Sequence, residues 1–119
     1  MADEYFQVTQ IGGVQVVALK LPESTDSNEF DRINEQLLPE VFAGGPAGLW
    51  VVDLTGLRYM GSSALGLMVN IRQRIIQTGG DLVLCGLSPQ LLRVFRTCCM
   101  ERLFRISKTQ ADALRVVGN

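Results

Sequence analysis

The sequence predicts an α/β domain that opens with a β-hairpin and continues with alternating strands and helices, giving a mixed sheet of four to five strands packed against four helices. Three observations predict it. Leu49–Leu54 and Leu82–Cys85 are nearly continuous apolar runs, the composition of strands buried on both faces of a parallel sheet. Between and after them the apolar spacing lengthens to a helical period. At the start, two β-rich segments flank Gly12-Gly13, the pattern of a tight hairpin. Alternation of this kind implies right-handed crossovers and a sheet covered by helices.

Each element has its own local reason. Tyr5–Ile11 and Val14–Leu19 are the hairpin strands. Asp26 and Glu29 have the offset of a capping box, and Phe30, Ile33, Leu37 and Val41 behind them share one helical face. Pro39 should kink or shorten that helix, and Gly44-Gly45-Pro46 ends it. The strand Leu49–Leu54 follows, then a short connection and a helix from Ser62 to Thr78. That helix carries a stripe of Ala64, Met68, Ile71 and Ile75 and stops at Gly79-Gly80. After the strand Leu82–Cys85, Ser88-Pro89 starts a helix with a capping hydroxyl and proline at its first position. Leu91, Leu92, Val94, Phe95 and Cys98 form its apolar side, so Cys98 is expected to pack. Leu103–Ile106 reads as a short strand, and Thr109 opens a final helix through Ala113, Leu114 and Val117.

Composition narrows the chemistry. The 119 residues suit one domain, residues 1–119, with a core that needs neither metal nor disulfide. Eleven basic and twelve acidic residues leave a net charge of −1, which argues against a nucleic-acid surface. Arg93, Arg96, Arg102 and Arg105 form a local basic cluster that reads as a solvated helix face and strand edge. No histidine is present, which removes Ser-His and Cys-His nucleophile pairs and the commonest zinc ligand. Without a nucleophile elbow either, a small serine or cysteine hydrolase is disfavoured. Cys85, Cys98 and Cys99 are odd in number and lack CxxC spacing, which fits a reduced, cytoplasmic compartment. Met1-Ala-Asp-Glu4 lacks the layout of a signal peptide, and no apolar stretch approaches the roughly 18 residues of a membrane span. No cofactor and no metal are expected.

The chemistry-bearing stretch is Asp53–Gly66. A strand ends at Asp53, and Gly61-Ser62-Ser63 leads directly into a helical pattern, so two hydroxyls lie where a helix exposes unpaired N–H groups and its positive dipole end. Ser62 suits a helix cap, and equally a phosphate attached later. Asp53 is a single carboxylate without a second acid, so a turn-ordering role outweighs metal or catalytic chemistry. The glycine pairs lack phosphate-loop spacing and follow helices. Arg72 falls within the apolar arc and must snorkel out or meet a partner. A partner surface is expected around Asp53, Arg58, Tyr59, Gly61, Ser62, Ser63, Gly66 and Asn70, with Arg58 and Tyr59 as its exposed anchors.

The element order, with Val51-Val52-Asp53-Leu54, Met60-Gly61-Ser62-Ser63-Ala64-Leu65-Gly66, Gly79–Leu87 and Leu103–Ile106, resembles the STAS domain, whose name joins sulfate transporters and anti-sigma factor antagonists. The resemblance covers the chain from about Tyr5 onward and is strongest to free-standing bacterial antagonists. It implies a partner-switching cycle. The unphosphorylated antagonist binds an anti-sigma factor with an ATPase-like, serine kinase fold; phosphorylation of one serine breaks the complex, and a serine phosphatase restores it. Aligning Leu65-Gly66 with the family's Leu-Gly sets Ser62 at the phosphoacceptor and Ser63 as a weaker substitute. Gly61 then stands where the family usually has aspartate. The same resemblance allows a second role, a STAS subunit that docks without phosphorylation in a transporter or signalling complex.

Overall fold

The computed structural model describes residues 6–20 and 48–119 and the isolated positions 35 and 39. Strands β1 (Phe6–Ile11) and β2 (Val14–Leu19) form the expected hairpin, with Ile11 opposite Val14. Gly12 and Gly13 both take positive φ (57° and 82°), the conformation that lets a two-residue turn match the twist of its strands. β3 (Leu49–Asp53) lies parallel to β2, and β4 (Asp81–Cys85) and β5 (Arg105–Ser107) extend the sheet in the same sense. The result is a mixed five-stranded sheet in the order β1-β2-β3-β4-β5. One row of its register runs Val17, Val52, Leu84, Ile106.

Three α-helices lie wholly among the described residues: α1 (Ser62–Gln77), α2 (Pro89–Thr97) and α3 (Gln110–Val116). The expected helix behind Asp26 and the Gly44-Gly45-Pro46 stop lie outside the described residues, apart from Glu35 and Pro39, which are helical and exposed.

Side chains alternate across a strand, and that alternation divides the core. Val17, Leu19, Trp50, Val52, Leu82 and Leu84 face α1 and α2 and pack with Leu67, Met68, Ile71, Ile75, Leu91 and Phe95. The intervening Val14, Val16, Val51, Val83 and Cys85 face α3, where Ala113 and Val117 meet them. Strands buried on both faces therefore account for the continuous apolar runs.

The cap predicted at Ser88 is present, and Thr109, expected to open the last helix, caps it as well. Ser88 Oγ accepts from the Leu91 N–H (3.1 Å) ahead of Pro89, and Thr109 Oγ1 accepts from Asp112 N–H (3.1 Å). The last strand is shifted relative to expectation. Instead of Leu103–Ile106 it is Arg105–Ser107, because Cys99 turns the chain at φ 58° and a 3-10 turn takes up Met100–Arg102. Leu103 is left exposed, while Phe104 tucks inward, edge-on to Phe95 at 6.1 Å.

Candidate functional site

The connection from β3 to α1 is pinned at both ends. At its start Asp53 shares the α3 side of the sheet with Cys85, and its carboxylate is fully engaged there. Oδ1 accepts from the Thr55 N–H (2.9 Å) and Thr55 Oγ1 (2.6 Å), and Oδ2 accepts from Gln110 Nε2 on α3 (3.1 Å). Gly86, with φ 76°, passes so close that a Cβ there would stand 2.3 Å from Thr55 Oγ1 and 2.8 Å from Asp53 Oδ1. Burial, and secondarily the charge of Asp53, pushes the Cys85 thiol up to about 12, so it stays protonated and unreactive. Further along, Leu57 and Met60 are buried, and Ser88 Oγ donates to the Leu57 carbonyl (3.2 Å). With those anchors fixed, Arg58 and Tyr59 are turned outward; Tyr59 is 58% exposed.

α1 begins at Ser62 itself, one residue earlier than a capping role for that serine would require. Gly61 occupies the N-cap position (φ −81°, ψ −178°), no side chain caps the helix, and the first turn contains no acidic residue. Ser62 is therefore the first helical residue, and its hydroxyl is exposed rather than spent on the backbone. The capping role expected of Ser62 is not what the structure shows. Ser63 is half-buried, whereas Ser62, Gly66 and Asn70 recur every four residues as one exposed stripe.

Beside that stripe a groove of about 410 Å³ opens between α1 and α2. Tyr59, Met60, Ser62 and Leu65 form one wall; Gln90, Arg93, Val94, Thr97 and Cys98 form the other. The structure thus brings Tyr59 and Ser62 together at the groove, with Gly61 between them in sequence. Arg58, Ser63, Gly66 and Asn70 lie on the surrounding elements but not on its walls. Asp53 sits on the other face of the sheet.

The α2 wall was not part of the expected surface. The helical spacing puts Val94 and Cys98 on the apolar side of that helix, yet Cys98 is exposed, because α2 ends at Thr97 and leaves Cys98 as its C-terminal cap. The arginine cluster is split by the fold. Arg96 pairs with Glu101 (3.4 Å), and Arg105 pairs with Asp81 (2.9 Å) and donates to the carbonyls of Val116 and Asn119. Arg72 meets the Leu103 carbonyl through Nε (2.7 Å). Arg93 is exposed on the groove. Among the described residues no group of three or more His, Cys, Asp or Glu could hold a metal, and no helix is long and apolar enough to cross a membrane.

The STAS domain family model matches residues 5–113. An anti-sigma-B factor antagonist of Listeria monocytogenes is 33% identical over 61 residues, 51% of this chain. The chain spans about half the length of such curated relatives, 54% in that case. A crystal structure of a candidate anti-sigma factor antagonist from Thermotoga maritima superposes with a TM-score of 0.78 at 21% identity, covering 96% of this chain and 95% of that one. An anti-sigma-factor antagonist (STAS) domain protein from Planctomyces limnophilus gives 0.76 at 25% identity, covering 92% of this chain and 96% of its own.

Proposed function

We propose that this chain, which belongs to the STAS domain family, is an anti-sigma factor antagonist: a cytoplasmic binding protein, not an enzyme, switched by phosphorylation of Ser62. The observation that carries the reading is the placement of Ser62, exposed and uncapped at the first position of α1, on the rim of an open groove. Its partner is an anti-sigma factor with an ATPase-like, serine kinase fold, which supplies the ATP and metal. A serine phosphatase reverses the modification.

The physical logic is local. A phosphate adds about −1.5 to −2 charges at Ser62. The unpaired N–H groups and dipole of α1 tolerate that charge, so the fold persists. A partner seated against Tyr59, Gly66 and Asn70 meets both the charge and its bulk. Gly66 supports this surface in another way: a Cβ there would meet nothing within 4 Å, so the fold itself does not require glycine inside an exposed helix.

The test mixes the protein with candidate ATPase-type anti-sigma factors and ATP and reads intact mass. A phosphate-sized gain, lost in Ser62→Ala, supports the switch. Gly61 favours a second reading, a STAS subunit that docks without phosphorylation, because the family's usual aspartate is missing beside the acceptor. A Cβ at Gly61 would meet only the Tyr59 ring at 3.8 Å, so Gly61→Asp fits the fold. A stable complex whose mass never changes, with phosphorylation gained in Gly61→Asp, establishes that second reading.

A further inference from the structure

Resting on Ser62 as the phosphoacceptor, we propose that Arg93 is the built-in receptor for its phosphate, closing across the groove from α2 so that the phosphorylated site is sealed from within. Among the described residues lining the groove, Arg93 alone carries a charge at neutral pH. It is exposed, and no hydrogen bond or ion pair ties its guanidinium to another described residue. Its neighbours in sequence are committed elsewhere: Arg96 holds Glu101 and Arg105 holds Asp81. The backbone that presents Arg93 is steadied by Thr97 Oγ1, which donates to the Arg93 carbonyl at 2.9 Å.

A guanidinium fork matches two phosphate oxygens at once, which a lysine cannot do. Met60, Leu65 and Val94 on the same walls lower the local polarity and strengthen such a pair. Phosphorylation then does more than repel a partner. It draws α2 to α1 through a phosphoserine–arginine bridge and occupies the groove the partner needs. An acidic substitution at Ser62, with less charge and only two oxygens, reproduces this poorly.

The test installs phosphoserine at position 62 during translation, so that no kinase is needed, and titrates the phosphate by phosphorus NMR. Among the described residues on the walls, Arg93 from α2 is the charged group facing it, and Tyr59 and Cys98 are the other titratable side chains. Pairing with Arg93 favours the dianion, so the second ionisation, ordinarily near 6, is expected to fall by about half a unit or more relative to Arg93→Gln. Arg96→Gln should leave it where it is. Equal values with and without Arg93 overturn the proposal and leave the helix terminus as sole receptor. Failure of every anti-sigma kinase to phosphorylate Ser62 would instead remove the reading of the preceding section, and the titration would still report on Arg93.

Discussion

The two ends of one short connection, Asp53 and Ser62, are built in opposite ways. Around Asp53 every strong polar group has a partner inside the fold: Thr55 and Gln110 satisfy both carboxylate oxygens, Gly86 leaves no room for a side chain, and Cys85 is held protonated. Around Ser62 the reverse holds. The helix has no side-chain cap, the hydroxyl is exposed, and a groove separates it from an arginine with no counter-charge among the described residues. Satisfied polar groups rigidify a fold, whereas open ones are what a partner or a modifying enzyme can use. A carboxylate at the end of a parallel strand is a common place to look for chemistry. Here it supports the connection, and the opportunity lies nine residues on, at Ser62.

The comparison can be broken most forcefully on its closed side. Gly86→Ala forces a side chain into positive φ and within 2.3 Å of Thr55 Oγ1, so the Asp53–Thr55 turn must yield. The expected loss is about 2–4 kcal/mol in urea unfolding. Unchanged stability would mean that the closed end is looser than its geometry indicates. Asp53→Ala removes the acceptor for three donors, two from Thr55 and one from Gln110. Part of that network is solvent-accessible, so about 1–2 kcal/mol is expected, with partner binding weakened only as far as the connection loosens.

A pH series sharpens the same side. The folded protein holds the Cys85 proton until about 12, while the unfolded chain releases it near 9.0. Below that lower value both states keep the proton and Cys85 contributes no slope. Above it the unfolded state binds fewer protons, so stability falls as pH rises, by up to about 1.4 kcal/mol per pH unit. Cys85→Ala costs some packing at neutral pH but lacks this slope. Unfolding curves at pH 7, 9 and 10 should therefore show the two proteins converging as pH rises. Parallel curves would indicate that solvent reaches the thiol.

How much of this is legible in the sequence depends on how local the cause is. The hairpin at Gly12-Gly13, the Ser88-Pro89 and Thr109 helix starts and the doubly buried strands follow from residues adjacent in the chain, and all are present. The final strand is displaced because Cys99 adopts positive φ, a conformation that nothing about cysteine signals in advance. Ser62 is legible as the start of a helix. Its offset from the cap is not, because glycine is also an acceptable N-cap. The α2 wall is the least legible part. Arg93 and Arg96 are equivalent in a linear reading; they diverge only once Glu101 is folded beside one of them and the α1 groove beside the other.

Ser62→Ala carries the smallest expected effect on stability and the sharpest test of the open side. A serine that caps a helix loses about 1 kcal/mol on substitution by alanine. Ser62 makes no cap contact, and alanine is the better helix former at an exposed position, so the substitution should move stability by less than about 0.5 kcal/mol in either direction. Thermal and urea unfolding should be nearly superimposable with the parent protein, while the phosphate-sized mass gain disappears. A loss near 1 kcal/mol would show that in solution Ser62 turns back to cap α1. Its hydroxyl would then be committed to the fold, and both ends of the connection would be closed.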